Sequence, residues 1–489
     1  MPVLGLLDVT LILATLFVVA LGLRSEKDRR LQRAVFALPV LLVLHLLGAG
    51  FRWQYVAAYL ALILAFMATK ATRRWLRILT FPVAVLLIGV SVLASWAFPL
   101  FKVPSPTGAY PVGTTKLFVV DESRQESYTA TKSDSRELTL KVWYPSKNPT
   151  SGERVSYWEK PLVRSKAVTK GTPLPWFTFT HLGLIKTHSK SDAQIADGKF
   201  PVIIYSHGLG IGWSSGNTPL LEDLASRGYI VVAIGHSYIG SATIFPDHVA
   251  YFDPATREAM NTKPPENVIE IYGRVKEIRD PKEQLAVYMR SMELMPTSIK
   301  GKVDEALHTQ VEDQRVVIEM LPELMSENID FRPHISSAVP GVFGMSIGGS
   351  AALISCSAAM RCAAVANMDG FHPDQARLKS PVPLLTLRRP DNLLVEENFA
   401  MAMSDAYLVE VSNTTHFDFF DFTIMSPLYR KLGVLGGIDG AEMVAVSRAY
   451  VGAFFDRHLK GMNSELLSNN SATPSKSVRL TVRERKQIQ

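Results

Sequence analysis

Val339-Pro-Gly-Val-Phe-Gly-Met-Ser-Ile-Gly-Gly-Ser350 is a short apolar run that ends in Gly344-Met345-Ser346-Ile347-Gly348. An Ala-rich segment follows, Ser350 to Ala359, and reads as a helix. Strand, G-x-S-x-G, helix is the pattern of a nucleophile elbow, in which a serine sits on a sharp, strained turn. Glycines flank the serine because larger side chains there would collide with the neighbouring strand and helix. A second serine, in Gly235-His236-Ser237-Tyr238-Ile239-Gly240, also follows an apolar run, Tyr229–Ile234. Its second glycine comes one residue too late, Ile239 fills the position that should be small, and no helical pattern follows before Pro246. This stretch reads as the end of a core strand and its loop.

Working outward from the elbow, strands alternate with helices. Leu117–Val120 and Glu137–Tyr144 alternate as antiparallel strands do. Pro201–Tyr205 reads as a buried strand, Leu220–Arg227 as a helix ending at Gly228, and Tyr229–Ile234 as the next strand. Residues 240–335 form a long insertion with helical patterns at Pro281–Met295 and Val303–Leu324. Cys362–Met368, Pro383–Leu387 and Ala406–Val411 are the later strands, and Ala441–Arg457 is a closing helix. Such alternation predicts a mostly parallel sheet with helices on both faces, the α/β-hydrolase fold. It spans 102–463, with the insertion as a lid, and a polar, mobile tail covers 464–489.

A serine hydroxyl needs an adjacent base, and the base needs a carboxylate to hold its tautomer. In this fold the chain order is Ser, Asp/Glu, His. Asp369, in Ala366-Asn-Met-Asp-Gly370, ends the first strand after the elbow and is the expected acid; Asp391, after the next strand, is the alternative. His416 and His458 are the histidines that follow the last of these strands. His416 lies in a loop and is the expected base, whereas His458 belongs to the basic end of a helix. The expected oxyanion donors are the backbone N–H of Ile347, next to the nucleophile, and that of Leu209 in the loop His207-Gly-Leu-Gly210. His207 itself reads as a loop anchor.

The first hundred residues differ in kind. Val3–Leu23, Ala34–Gly50, Gln54–Thr69 and Ile78–Phe98 are nearly all apolar. At about 17–25 residues per span they read as four transmembrane helices over 1–101. Asp8 is expected to reach the interface, and His45 to hydrogen-bond a neighbouring helix. Arg24, Lys27, Arg29, Arg30 and Arg33 separate the first two spans, and Lys70, Arg73, Arg74 and Arg77 the last two. The positive-inside rule places both basic connectors in the cytoplasm and everything after the fourth span outside it. The expected setting is an integral protein of a bacterial inner membrane. Residues 1–100 hold ten Lys/Arg and three Asp/Glu, which is +7, the whole net charge of the chain. The charge is thus a topology signal and gives no footprint for nucleic acid. Two cysteines, Cys356 and Cys362, leave a bridge or two small buried thiols open. No zinc pattern occurs, so neither metal nor cofactor is expected. Asn413-Thr-Thr415 and Asn469-Asn-Ser471 are glycosylation sequons, meaningful only in a eukaryotic secretory route. The oligomeric state is not legible.

Tyr205-Ser-His-Gly-Leu-Gly210 and Asp223-Leu-Ala-Ser-Arg-Gly-Tyr-Ile-Val-Val-Ala233 resemble the platelet-activating-factor acetylhydrolase family. So do Gly108-Ala-Tyr-Pro-Val-Gly113, Val142-Trp-Tyr-Pro145, and the order of the elbow, the Asp369 strand end and the Thr415-His416-Phe417 loop. The resemblance covers roughly residues 105–425. It implies a calcium-independent serine esterase or lipase of the 1-alkyl-2-acetylglycerophosphocholine esterase type. Ser346, Asp369 and His416 would match the family's nucleophile, acid and base, and Leu209 and Ile347 its oxyanion donors. Met345 departs from the His usual before the serine, and the apolar N-terminal region is foreign to secreted members. The expectation is a membrane-anchored hydrolase of short-acyl or oxidised phospholipids, or of other small esters. A serine peptidase or amidase on the same fold is one rival, and a non-catalytic membrane ligand sensor is another.

Overall fold

Short runs of β-branched and aromatic residues, closed by Gly, Pro, Asp or His, build the sheet that carries the elbow. The structure, a computed structural model, describes residues 5–22, 29–70, 74–147, 153–357, 362–376, 378–468 and 473–484. Arg24, Lys27, Arg73 and the Asn469-Asn-Ser471 sequon lie outside the described residues. The chain divides into two compact units. One holds Val103–Val155, Thr187–Thr423 and Gly433–Gln489; the other holds Met1–Lys102 together with Ser156–Lys186 and Ile424–Leu432.

Thirteen strands are present among the described residues: β1 (Val112–Gln125), β2 (Ser135–Pro145), β3 (Arg154–Ser156), β4 (Lys186–Ser191), β5 (Val202–Ser206), β6 (Ile230–His236), β7 (Ala242–Ile244), β8 (Val249–Tyr251), β9 (Gly341–Met345), β10 (Ala364–Met368), β11 (Leu384–Arg388), β12 (Ala406–Val411) and β13 (Val478–Arg483). Eleven form one sheet in the order β13-β12-β11-β10-β9-β5-β6-β2-β1-β4-β3, and β7 pairs with β8 apart from it. From β12 to β6 every neighbouring pair is parallel. Antiparallel strands flank this centre, β13 beside β12 on one side and β2 beside β6 on the other. Central strands such as Val202–Ser206 and Gly341–Met345 are buried along their whole length, as strands covered on both faces must be.

One strand lies where the sequence reading put a mobile tail. Val478–Arg483 pairs with β12 from Val411↔Val478 to Ala406↔Arg483. Its alternation of Val478, Leu480 and Val482 with Arg479, Thr481 and Arg483 is a strand pattern, and its exposed basic side suits a sheet edge. Cys356 and Cys362 form a disulfide with Cα atoms 5.4 Å apart.

The other unit begins with four helices, α1 (Leu6–Gly22), α2 (Arg29–Ala49), α3 (Val56–Lys70) and α4 (Arg74–Ala97). The expectation of four spans is corrected here. Among the described residues one stretch, Ile78–Ala97, is both long and apolar enough to cross a membrane. The apolar parts of the others, Leu6–Val18, Pro39–Ala49 and Trp53–Ala68, are shorter, at 10–17 residues. At 1.5 Å per residue α1, 17 residues, and α3, 15 residues, fall below a hydrocarbon core of about 30 Å, and α2 opens on charged residues. Asp8, in the first turn of α1, has partners within this unit. It is buried and paired with Arg52 and with His45 Nε2 at 2.9 Å, and His45 Nδ1 meets Tyr59 Oη at 3.0 Å. Within the same unit, the Trp176–Phe179 segment packs on the ends of these helices. Trp53 Nε1 donates to Thr178 O at 3.0 Å, and Phe98 meets Phe179 edge to face.

Candidate active site

The parallel strands end at one rim of the sheet, and the predicted residues gather there. β9 closes at Met345, and Ser346 then adopts φ +59° before helix α11 (Ile347–Ser357). A positive φ at a non-glycine residue is strained, and packing around the turn enforces it. A Cβ on Gly344 would lie 2.3 Å from Gly348 C, and one on Gly348 would lie 2.3 Å from Ser206 O. Both glycines therefore serve close backbone approach. Ser346 N–H donates to Met368 O at 2.9 Å, which ties the elbow to β10.

Register brings the acid alongside. Met345 pairs with Met368, so Ser346 and Asp369 leave adjacent strands at the same level. His416 Nε2 lies 2.9 Å from Ser346 Oγ, and His416 Nδ1 lies 2.7 Å from Asp369 Oδ2. A neutral imidazole that donates from Nδ1 to a carboxylate leaves Nε2 free to accept the hydroxyl proton. Burial alone would push the Asp369 carboxyl up. The His416 hydrogen bond and then the Arg389 charge outweigh it and hold the group below the usual carboxylate range. Asp391, the alternative acid, instead pairs with Arg389 Nε at 2.7 Å. His458, the alternative base, lies in the helix Gly440–Lys460 and packs against Phe454 and Tyr407.

Three supporting residues escaped the sequence reading. Asn392 Nδ2 donates to Asp369 Oδ1 at 2.9 Å, and the Arg389 guanidinium pairs with Oδ2. Both lie in the loop after β11, beside the Asp369 loop. Asp418 accepts from Thr415 N–H at 2.8 Å and from Gly436 N–H at 2.7 Å, which pins the loop that presents His416. The motif Thr415-x-x-Asp418 is a capping box, a signal that was legible.

The loop after β5 lies against the elbow: a Cβ on Gly208 would meet Ser346 Cβ at 3.2 Å. Among the described residues neither the Leu209 nor the Ile347 N–H donates to a backbone acceptor. The insertion supplies four helices, α7 (Pro254–Asn261), α8 (Glu266–Val275), α9 (Pro281–Leu294) and α10 (Thr297–Met320); α5 (Pro161–Thr169) and α6 (Thr218–Ser226) precede them. The Leu307 and Val311 side chains of α10 pack with Leu209 and Ile347. Tyr288 of α9 meets Phe371, two residues past Asp369, edge to face at 5.2 Å, and Tyr272 of α8 stands 6.2 Å from Tyr288. The insertion thus makes an apolar, aromatic wall beside the three residues.

A family model described as platelet-activating factor acetylhydrolase, isoform II, matches residues 96–478. The chain is 22% identical to the platelet-activating factor acetylhydrolase of Bos taurus over 375 residues, 73% of this chain and 77% of that one. It is also 22% identical to the acetylhydrolase of Cavia porcellus, over 76% of this chain and 80% of that one. Among solved structures it is similar to a ferulic acid esterase from Streptomyces cinnamoneus. The TM-score is 0.56 and the identity 28%, over 78% of this chain and 99% of the esterase.

Proposed function

Because this chain belongs to the platelet-activating factor acetylhydrolase family, we propose that it hydrolyses carboxylic esters through an acyl-enzyme on Ser346. One observation carries the reading: the hydrogen-bonded line from Asp369 through His416 to Ser346 at the C-terminal ends of parallel strands. Ser346 Oγ attacks the ester carbonyl carbon as His416 Nε2 takes its proton. The carbonyl oxygen gains the negative charge and turns towards the Leu209 and Ile347 N–H groups. Collapse breaks the C–O bond, and the alcohol leaves with the proton from His416. Water, deprotonated by the same histidine, then attacks the acyl group and frees Ser346.

The proposed substrates are short-acyl or oxidised phospholipids, or other small esters. The relatives' name, platelet-activating factor acetylhydrolase, and the wall of Leu209, Ile347, Tyr288 and Phe371 support that choice. A closed apolar pocket discriminates by ~1 kcal/mol or more for each methylene it cannot hold. Purified protein assayed on an acyl series is expected to turn over acetyl to hexanoyl esters and to fall steeply towards long-chain triglycerides. A chelator is expected to leave the rate unchanged. Equal rates on butanoyl and hexadecanoyl esters would contradict the short-acyl assignment.

Attachment to a membrane through Ile78–Ala97 completes the proposal. The helical unit exposes large apolar side chains. Its interior mixes Ala58, Ala61, Ala65 and Ala84 with Leu11, Val18, Tyr55, Leu62 and Ile88, and the Ser91 hydroxyl accepts from the Ala58 N–H at 2.8 Å. Large ones face outward, Leu47 at 81% exposure and Leu86 at 67%. Helices that pack in lipid show this distribution, because lipid gives no drive to hide Leu. Lys70, Arg74 and Arg77 precede the candidate span, so the positive-inside rule puts the hydrolase outside the cytoplasm even with one crossing. The Cys356–Cys362 bridge suits that compartment. Full-length protein is expected to stay in the membrane pellet through alkaline carbonate extraction and to be degraded by protease added to spheroplasts. Release into the carbonate supernatant would contradict the attachment.

A further inference from the structure

A second Ser–His–Asp line lies behind the loop that holds Leu209, and the reaction does not use it. His236, the last residue of β6, sets Nδ1 2.8 Å from Asp313 Oδ2 and Nε2 3.0 Å from Ser206 Oγ. The spacings nearly repeat the 2.7 and 2.9 Å of the Asp369–His416–Ser346 line. Ser206, His236 and Asp313 have no exposed surface, so no substrate reaches them.

Their hydrogen bonds resolve into one pattern. Asp313 accepts from Arg136 Nη2 at 2.7 Å, Arg136 Nε at 3.1 Å and Arg124 Nη2 at 2.8 Å. Burial alone would raise its carboxyl, but the Arg136 charge and the hydrogen bonds from His236 and Arg136 outweigh that and hold it well below its ordinary range. Burial depresses the His236 imidazole and keeps it neutral. A neutral ring facing a carboxylate donates from Nδ1, so Nε2 accepts and the Ser206 hydroxyl is its donor. Gln314 Nε2 in turn donates to Ser206 Oγ at 2.8 Å, and Gln314 Oε1 accepts from Ser355 at 2.7 Å.

Ser206 is the last residue of β5, and the loop His207-Gly-Leu209 begins with its neighbour. His207 Nε2 accepts from the His236 N–H at 3.3 Å, and its Nδ1 donates to Gly208 O at 2.8 Å. The His207 carbonyl accepts from Gln310 Nε2 at 3.0 Å. Gln310, Asp313 and Gln314 stand at i, i+3 and i+4 on α10 and so share one face. The same helix packs Leu307 and Val311 against Leu209 and Ile347.

We propose that α10, through Gln310, Asp313 and Gln314, clamps Ser206 and His207 and thereby sets the Leu209 N–H at the developing oxyanion. These three are positioning residues for ester hydrolysis, and the inference rests on the reading of Leu209 and Ile347 as oxyanion donors. The insertion then does more than cover the site: it fixes one of the two groups that stabilise the transition state.

The test compares a chromogenic short-acyl ester with its thionoester, whose sulfur is a weak acceptor and draws little from the two N–H groups. Gln310→Met keeps the side-chain volume and removes an amide whose oxygen has no partner among the described residues. It is expected to lower kcat on the ester about tenfold, with KM and melting temperature nearly unchanged, and to alter the thionoester rate far less. Asp313→Asn is expected to act in the same direction more strongly; if it does not fold, Gln310→Met alone decides. Equal losses on both substrates, a change confined to KM, or no change in Gln310→Met would overturn the clamp. Wild-type ester hydrolysis that Ser346→Ala does not abolish would instead overturn the underlying hydrolase reading, and the clamp with it.

Discussion

Ser346→Ala is expected to reduce ester turnover by about 10⁶-fold, to the level left by binding and oxyanion stabilisation alone. The fold should survive, because the hydroxyl's bond is to the partly exposed His416 and alanine retains the Cβ that the turn accommodates. Alanine carries the same Cβ as serine at φ +59°, so the melting temperature should not fall. Ser237→Ala is the internal control. Ser237 is buried and its Oγ donates to Glu137 O at 2.7 Å, far in role from any substrate. That variant should keep full activity. Steady-state assays on a short-acyl ester check both, and loss of activity in Ser237→Ala alone would reverse the assignment.

Asp369→Asn is expected to cost about 10⁴-fold in kcat with little change in KM. An amide in place of the carboxylate can donate to Nδ1, which moves the imidazole proton to Nε2 and removes the base. Here the substitution also sets an amide against the Arg389 guanidinium and Asn392 Nδ2, both of which now donate to the carboxylate. Asp391→Asn should be mild, since Asp391 reaches the site only through Arg389 Nε. A larger loss in Asp391→Asn than in Asp369→Asn would move the acid to the later strand.

The features legible in the sequence are those that local sterics or chain order dictate. Gly344 and Gly348 announce the elbow because any Cβ there meets backbone at 2.3 Å. His416 stands out because only two histidines follow the last parallel strand. The partners of Asp369 were hidden for the opposite reason. Arg389 and Asn392 reach it through the pairing of β10 with β11, where Met368 lies beside Leu387, and no local pattern records that register. Asp313 and His236 are separated by 77 positions and meet only once α10 packs on the sheet. The count of membrane spans erred because composition was read without helix boundaries. Arg29–Ala49 spends its first turns on Arg29, Arg30 and Arg33, so its apolar part cannot begin before Ala34. The edge strand Val478–Arg483 was masked by its charge, although its period of two was present.

The central claim is that Ser346 is the nucleophile of an ester hydrolase, and active-site phosphonylation tests it most directly. Full-length protein treated with a fluorophosphonate and digested for mass spectrometry should carry a single adduct, on the peptide containing Ser346. Its formation should match the loss of esterase activity in time, and a short-acyl ester should slow it by competition. An adduct on another residue, or full esterase activity remaining after Ser346 is completely modified, would contradict the account.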